Sequence, residues 1–185
     1  MKAATFLGNK TFEVQERAIP KAGPGEVVIR NMACGVCGTD VHIYHGEPGS
    51  ADVAPPVVLG HEYAGEVVEA GEGVTALQPG DHVTVDPNIY CGACEYCRGG
   101  KKQLCEAMQA IVVTRAGGFA QYRVVPASQA LKISPELPYE WGAMAEPVAC
   151  CLHGIDLAGI RPGDTVCVVG GGAIGLIMLQ LAKLS

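Results

Sequence analysis

The amino-acid sequence predicts a β-rich domain, shaped as a sandwich or partly open barrel, followed by the beginning of an α/β domain. In the first half, short alternating runs are separated by turns rich in Gly and Pro, of which the chain has 25 and 12. Near residue 150 the pattern changes to helical spacing, an apolar run at residues 165–169 and a glycine-rich turn, which is typical of an opening βαβ unit. We therefore expect two domains, over residues 1–150 and 151–185.

The elements follow from local periodicity and from the turn residues that bound them. Residues 87–108 hold four cysteines with little periodicity, which indicates a loop or small lobe. Helical spacing begins at residue 139 and is ended by Gly159 and Pro162. A buried strand at 165–169 and a further helix come after it. In the β-rich part, alternation predicts strands over residues 11–18, 26–33, 63–70, 82–86, 119–125 and 130–133.

The composition restricts the class and location of the protein. Of the 185 residues, 49% are hydrophobic and 17% charged, so a sizeable core is expected, and the net charge of −6 argues against a nucleic-acid partner. A secretory signal and a run of eighteen apolar residues are both missing from the sequence, so we expect a cytoplasmic protein with no membrane partner. In a reducing cytoplasm the nine cysteines would bind metal or stay free.

Four cysteines in the lobe have the spacing of a closed metal cage: Cys91, Cys94, Cys97 and Cys105. Four thiolates complete the tetrahedral shell of Zn²⁺ and leave no place for water or substrate, which indicates a structural zinc site. Iron in the same cage is one alternative, and a set of unrelated free thiols is another.

A second candidate metal site combines Cys37 with His61 and Glu62. A thiolate, an imidazole and a carboxylate make a mixed ligand set, and three protein ligands leave one coordination position open. Zinc with an open position lowers the pKa of a bound hydroxyl. A core cysteine beside an ordinary Gly-His-Glu turn is the alternative interpretation.

A glycine-rich turn comes between the predicted strand and the last helix. Gly170, Gly172 and Gly175 have the Gly-x-Gly-x-x-Gly spacing, in which the helix N-terminus faces a pyrophosphate. The acidic residue that would contact the ribose is expected about 20 residues later. That position lies beyond Ser185, so NAD and NADP both stay open, and an ordinary glycine-rich connection is the alternative.

Taken together, these motifs resemble the zinc-containing medium-chain alcohol dehydrogenase family, in its branch of polyol (sorbitol) and L-threonine 3-dehydrogenases. In chain order they are G-V-C-G-T-D, G-H-E with Y-A-G, P-G-D-H-V, the four cysteines, A-E-P and G-x-G-x-x-G. The resemblance implies a GroES-like catalytic domain, with a structural-zinc lobe at residues 87–108, followed by a Rossmann domain. The chain is then expected to stop inside the Rossmann domain, after its first strand and helix.

The resemblance also implies roles for single residues. Thr39 and His42 match a proton relay, and Asp40 matches a carboxylate that orients a ligand. Glu146 stands where classical alcohol dehydrogenases have cysteine, and it would bind the catalytic zinc directly or through water. The remaining matches are the catalytic zinc ligands Cys37, His61 and Glu62, the structural zinc ligands Cys91, Cys94, Cys97 and Cys105, and the cofactor turn Gly170, Gly172 and Gly175.

The implied activity is hydride transfer from a secondary alcohol, such as a sugar alcohol, to NAD(P), with two zinc ions per chain. L-threonine 3-dehydrogenase is the alternative within this class. An isolated zinc-binding GroES-like module without catalysis is the alternative of a different class, since the 185-residue chain alone is expected to be inactive. The expected partners are a small-molecule alcohol and, for the complete protein, further copies of itself.

Overall fold

A computed structural model describes residues 1–47, 53–112 and 115–185 of this chain. It divides into two compact units, Met1–Ala143 and Met144–Ser185. The division falls a few residues before residue 150, which itself lies inside a helix that spans Ala145–Ala158.

The first unit is built from antiparallel strands. Its described residues form a three-stranded sheet, a five-stranded sheet and a two-stranded hairpin, which do not close into a barrel. In chain order the strands are β1 (Lys2–Gly8), β2 (Thr11–Glu16), β3 (Glu26–Cys34), β4 (Val57–Val58), β5 (Tyr63–Ala70), β6 (His82–Val85), β7 (Asn88–Ile89), β8 (Gln109–Ala110), β9 (Tyr122–Pro126) and β10 (Ala130–Lys132). The sheets have the orders β2-β1-β4, β10-β6-β5-β3-β9 and β7-β8. The prediction of a β-rich, partly open first domain is therefore confirmed.

The core lies on one face of the five-stranded sheet, as strand periodicity requires. Ile29 in β3 is opposite Val67 in β5, and Val27 in β3 is opposite Val125 in β9. All four side chains are almost fully buried, and each such burial stabilises the fold by about 1.5–3 kcal/mol. Because side chains alternate between faces, Arg30 lies on the other side, where it pairs with a glutamate at 2.6 Å.

Helices are short in the first unit and longer in the second. They are α1 (Gly38–His45), α2 (Glu95–Arg98), α3 (Tyr139–Ala143), α4 (Ala145–Ala158) and α5 (Ala173–Leu184), with two 3₁₀ turns at Lys102–Leu104 and Ala127–Gln129. The prediction of a single helix from residue 139 is therefore wrong, because the segment forms two helices, α3 and α4, which are separated at Met144. Pro147 explains the break, since proline lacks an N–H and is tolerated only in the first turn of a helix. None of the helices among the described residues is long and apolar enough to cross a membrane.

Two predicted strands differ from the structure. Residues 165–169 are mostly exposed and pair with none of the strands that the structure describes, so the prediction of a buried strand there is wrong for this chain. A parallel strand takes its hydrogen bonds from neighbouring strands, and the second unit contains none among its described residues. The strand predicted from Phe119 begins at Tyr122, because the backbone of Phe119 bonds instead to Leu59 at 2.9 Å and to Ala4 at 2.8 Å.

Candidate metal centres and glycine-rich turn

Cys37, His61 and Glu62 come together in the first unit, although 23 residues lie between Cys37 and His61 in the sequence. Each offers one ligand atom, these atoms lie within 4.8 Å of one another, and all three residues are partly buried. Zinc–ligand bonds are about 2.0–2.3 Å long, so one ion between the three atoms needs only a small adjustment of the side chains. The chemistry of this donor set and its spacing fit zinc with one position open.

A buried carboxylate joins the two segments that carry these ligands. Asp40 is 4% exposed, and its Oδ2 accepts a hydrogen bond from the backbone N–H of Cys37 at 2.9 Å. Its Oδ1 accepts a second bond from the backbone N–H of Gly60 at 3.1 Å. Since Gly60 directly precedes His61, one side chain fixes the distance between the loop of Cys37 and the loop of His61. Asp40 thus positions the ligands through their backbone.

Glycines next to the ligands leave room for them. A Cβ atom on Gly35 would collide with the side chain of Glu62. The N–H of Gly35 also donates to the carbonyl of Glu62 at 2.7 Å, which holds these two segments of the chain side by side. Gly60 has φ +86°, a left-handed conformation that favours glycine, and the ring of Phe119 fills the space where a Cβ would lie. Gly35 and Gly60 are therefore required by the geometry of the site.

Partial burial, and after it the nearby carboxylates of Glu62 and Asp40, disfavour a bare thiolate at Cys37. Burial raises the pKa of the Cys37 thiol, and hydrogen bonding to Thr39 opposes that rise. A thiolate in this position is stabilised by a divalent metal ion, which deprotonates the thiols that bind it. The hydroxyl oxygen of Thr39 lies 3.8 Å from the sulfur of Cys37, so it is next to one donor atom of the candidate metal site.

The predicted relay residues share one helix face. Thr39 and His42 are three residues apart on α1, a spacing that puts them on the same side of the helix. The side chain of His42 is 57% exposed, and its Nδ1 lies 2.5 Å from Oε2 of Glu47. This contact lowers the pKa of the Glu47 carboxyl.

Glu47 is a residue that the sequence interpretation missed. It lies just beyond α1, where Gly46 adopts the left-handed conformation (φ 74°) and turns the chain back toward the helix. The sequence signal for this contact was Gly46 followed by Glu47 at the end of the helix. A left-handed glycine cap turns the chain back, so that the side chain after it lies near the last turn of the helix.

The four lobe cysteines also converge. Cys91, Cys94, Cys97 and Cys105 place their sulfur atoms within 4.8 Å of one another, and Cys97 and Cys105 are buried. The sulfur of Cys91 accepts backbone hydrogen bonds from Ala93 and Cys94, each at 3.4 Å. These bonds lower the pKa of Cys91 to about 6, whereas burial raises the pKa of Cys97 to about 12. A closed cage of four thiol donors suits a structural zinc ion.

The glycine-rich turn has the local geometry that its spacing predicts. Gly170 has φ +108°, Gly172 caps α5, and the N–H of Leu176 donates to the carbonyl of Gly172 at 2.9 Å. A Cβ on Gly175 would collide with the carbonyl oxygen of Gly170, so only glycine lets the helix approach the turn so closely. The role of this turn in cofactor binding stays a prediction.

Glu146 lies in the first turn of α4, in the second unit. Its Oε1 accepts a hydrogen bond from the thiol of Cys150 at 3.5 Å. The mixed candidate metal group found among the described residues consists of Cys37, His61 and Glu62 and does not include Glu146. Glu146 as a fourth ligand stays a prediction.

Several known proteins similar to this chain are dehydrogenases. The family described as alcohol dehydrogenase GroES-like domain matches residues 23–135. L-threonine 3-dehydrogenase of Pyrococcus abyssi is 41% identical over 186 residues, which cover 100% of this chain and 52% of that protein. D-altritol 5-dehydrogenase of Agrobacterium fabrum is 40% identical, with 99% of this chain and 55% of that protein covered.

Among solved structures, a protein assigned as a zinc-binding dehydrogenase from Sinorhizobium meliloti 1021, bound to NADP, has a TM-score of 0.92 to this chain. It is 48% identical, and the match covers 99% of this chain and 53% of that one. The chain thus spans about half the length of the relatives it matches.

Proposed function

Because this chain belongs to the alcohol dehydrogenase GroES-like domain family, among the zinc-containing medium-chain dehydrogenases, we propose that the complete protein transfers hydride from a secondary alcohol of the sugar-alcohol class to NAD(P). The observation that carries the proposal is the convergence of Cys37, His61 and Glu62, within 4.8 Å, beside the hydroxyl of Thr39. A mixed ligand set with an open position next to a proton acceptor is what oxidation of an alcohol needs.

In the proposed mechanism, Cys37, His61 and Glu62 would hold the catalytic zinc, and Glu146 would be a further ligand, direct or through water. When bound, zinc supplies a Lewis acid that lowers the pKa of the substrate hydroxyl, and NAD(P) supplies the hydride acceptor. Gly170, Gly172 and Gly175 would receive the pyrophosphate of the cofactor at the start of α5.

The proton leaves through residues of α1. Thr39 accepts the hydroxyl proton of the substrate while it donates its own proton toward His42. His42 releases that proton to solvent, which its 57% exposure allows. The carboxylate of Glu47, 2.5 Å from Nδ1, stabilises the imidazolium that forms in this step.

The relatives favour two substrate classes in the same site. The altritol enzyme acts on a sugar alcohol and the threonine enzyme on an amino acid, and their identities to this chain are nearly equal, 40% and 41%. Rates of NADH or NADPH formation by the complete protein with sorbitol, xylitol, galactitol and L-threonine separate them. Faster turnover of a polyol supports the main proposal, turnover of L-threonine alone supports the alternative, and activity on none of these would refute both.

We expect the 185-residue polypeptide alone to bind zinc without catalysing hydride transfer. Its second unit has no sheet among the described residues, and a dinucleotide fold needs several parallel strands. In that form the chain is a zinc-binding GroES-like module. Clear NADH production from the purified 185-residue chain and a polyol would contradict this expectation.

The proposed complement of the protein is two zinc ions per chain, the second in the cage of Cys91, Cys94, Cys97 and Cys105, together with NAD(P). We also propose a cytoplasmic location, which is supported by nine cysteines that form no disulfide within the described part of the chain. The complete protein is proposed to be a homo-oligomer, with neither membrane nor nucleic-acid partners. Light scattering of the complete protein tests its oligomeric state, and a monomer would contradict it.

A further inference from the structure

A buried guanidinium group lies inside the first unit, and none of the described residues pairs it with a carboxylate. Arg123 belongs to β9, directly opposite Ile29 of β3, and is 8% exposed. Ile29 and Val125, which share its face of the sheet, are almost fully buried. Lysine and arginine are rarely buried to this extent unless they are paired.

The unpartnered atoms of Arg123 form one recognition edge. Nε and Nη2 are both buried and make no hydrogen bond with any described residue. Their N–H bonds run parallel along one side of the planar group, which is the edge that receives an anion with two hydrogen bonds. The ion pairs found among the described residues also leave Arg123 without a carboxylate.

No negatively charged group among the described residues acts on Arg123. The charged or titratable groups that act on it are the phenol of Tyr63 and the like charge of Arg17. Arg17 satisfies its own Nη2 by donating to Thr5 and to Gln15, each at 3.1 Å. A buried cation beside a second cation is costly unless an anion compensates it.

A second polar group in the same interior is also unsatisfied. The hydroxyl of Tyr63, at the start of β5, is buried and has no hydrogen-bond partner among the described residues. Tyr63 and Arg123 interact electrostatically. The guanidinium edge of Arg123 and the phenol of Tyr63 are thus two buried hydrogen-bond donors that lack an acceptor among the described residues.

We propose that the Nε–Nη2 edge of Arg123 binds a small monovalent inorganic anion of the halide class, with the hydroxyl of Tyr63 as the second donor nearby. A water molecule would satisfy the N–H groups but would leave the charge uncompensated. A halide supplies both the acceptor and the charge, and a single-atom anion needs less space beside Ile29 and Val125 than any polyatomic anion would. The site is formed by the sheet and includes none of the proposed zinc ligands.

Bromide tests the site directly, because it scatters anomalously. Crystals of the zinc-loaded 185-residue chain soaked in bromide should show an anomalous peak within hydrogen-bond distance of Nε and Nη2 of Arg123. A peak at the open zinc position alone, or density at Arg123 without anomalous signal (a water), would overturn the proposal.

Stability in solution gives a second readout. Replacing gluconate by chloride at constant ionic strength should raise the melting temperature of the wild-type chain, since an anion that binds the folded state stabilises it. Arg123→Met should lose this chloride dependence, whereas Arg30→Met, which removes an exposed arginine of the neighbouring strand, should keep it. Chloride dependence that persists in Arg123→Met, or its absence in the wild type, would contradict the inference.

Discussion

Replacing Asp40 with alanine should destabilise the first unit and weaken its catalytic zinc site together. The carboxylate accepts two backbone hydrogen bonds, from Cys37 at 2.9 Å and from Gly60 at 3.1 Å, in a side chain that is 4% exposed. Hydrogen bonds to a charged group contribute about 1.5–3 kcal/mol each, so the loss of both costs about 3–6 kcal/mol of unfolding free energy. Loss of a group that orients metal ligands weakens metal binding by about 10–100-fold.

Asp164→Ala is the matched control for this change. Asp164 also accepts a backbone hydrogen bond, from Arg161 at 2.8 Å, but it is exposed and lies in the second unit. Its removal should cost about 1 kcal/mol and leave zinc affinity unchanged. Urea denaturation measures the stability, and competition with a fluorescent chelator measures the affinity of the weaker zinc site. The reasoning fails if Asp40→Ala loses no more stability than the control, or if both variants bind zinc as the wild type does.

Three other changes have defined outcomes. Cys97→Ser should reduce the zinc content measured by elemental analysis from about two to about one ion per chain, because a buried ligand of the cage is lost. The control Cys167→Ser should keep about two ions per chain. Equal zinc contents in the two variants would contradict a zinc site at the four cysteines. Gly175→Ala should lower the helix content of the second unit by circular dichroism, since its Cβ meets a backbone oxygen, and Gly171→Ala, which meets nothing within 4 Å, should not. The hydrogen bond from Lys132 lowers the pKa of Asp81 below 3.8, so the stabilisation from this pair is present above pH 3.8 and is lost as the pH falls through the lowered pKa. Urea denaturation at a series of pH values should therefore show that Asp81→Asn loses less stability on acidification than the wild type. Parallel curves for the two proteins would refute the assignment.

The parts of the fold that sequence predicted best are those governed by a local period. The strand at residues 63–70 has the predicted bounds, because a half-buried strand alternates in its own sequence. Helix spacing at residues 139–157 was visible too, but the break at Met144 depends on Pro147 limiting where the second helix begins.

Segments that depend on distant partners were less predictable. Residues 165–169 have the composition of a buried strand, yet a strand forms only where another strand can accept its hydrogen bonds. Phe119 was expected in a strand, and its backbone instead pairs with Leu59 and Ala4. Neither pairing has a signal within the segment itself.

The candidate site shows the same division. Ordered motifs identified Cys37, His61 and Glu62, and the fold brings them together. The contact between Glu47 and His42, by contrast, depends on how the chain leaves α1. The inward orientation of Arg123 depends on the register between β9 and β3, which alternation within β9 does not specify.

The central claim is that the chain holds a zinc ion with an open position at Cys37, His61 and Glu62. An anomalous difference map at the zinc absorption edge, from crystals of the zinc-loaded chain, tests it most directly. The account predicts two peaks, one within about 2.0–2.3 Å of the ligand atoms of these three residues and one inside the four-cysteine cage. A single peak in the cage, with none at Cys37, His61 and Glu62, would contradict it.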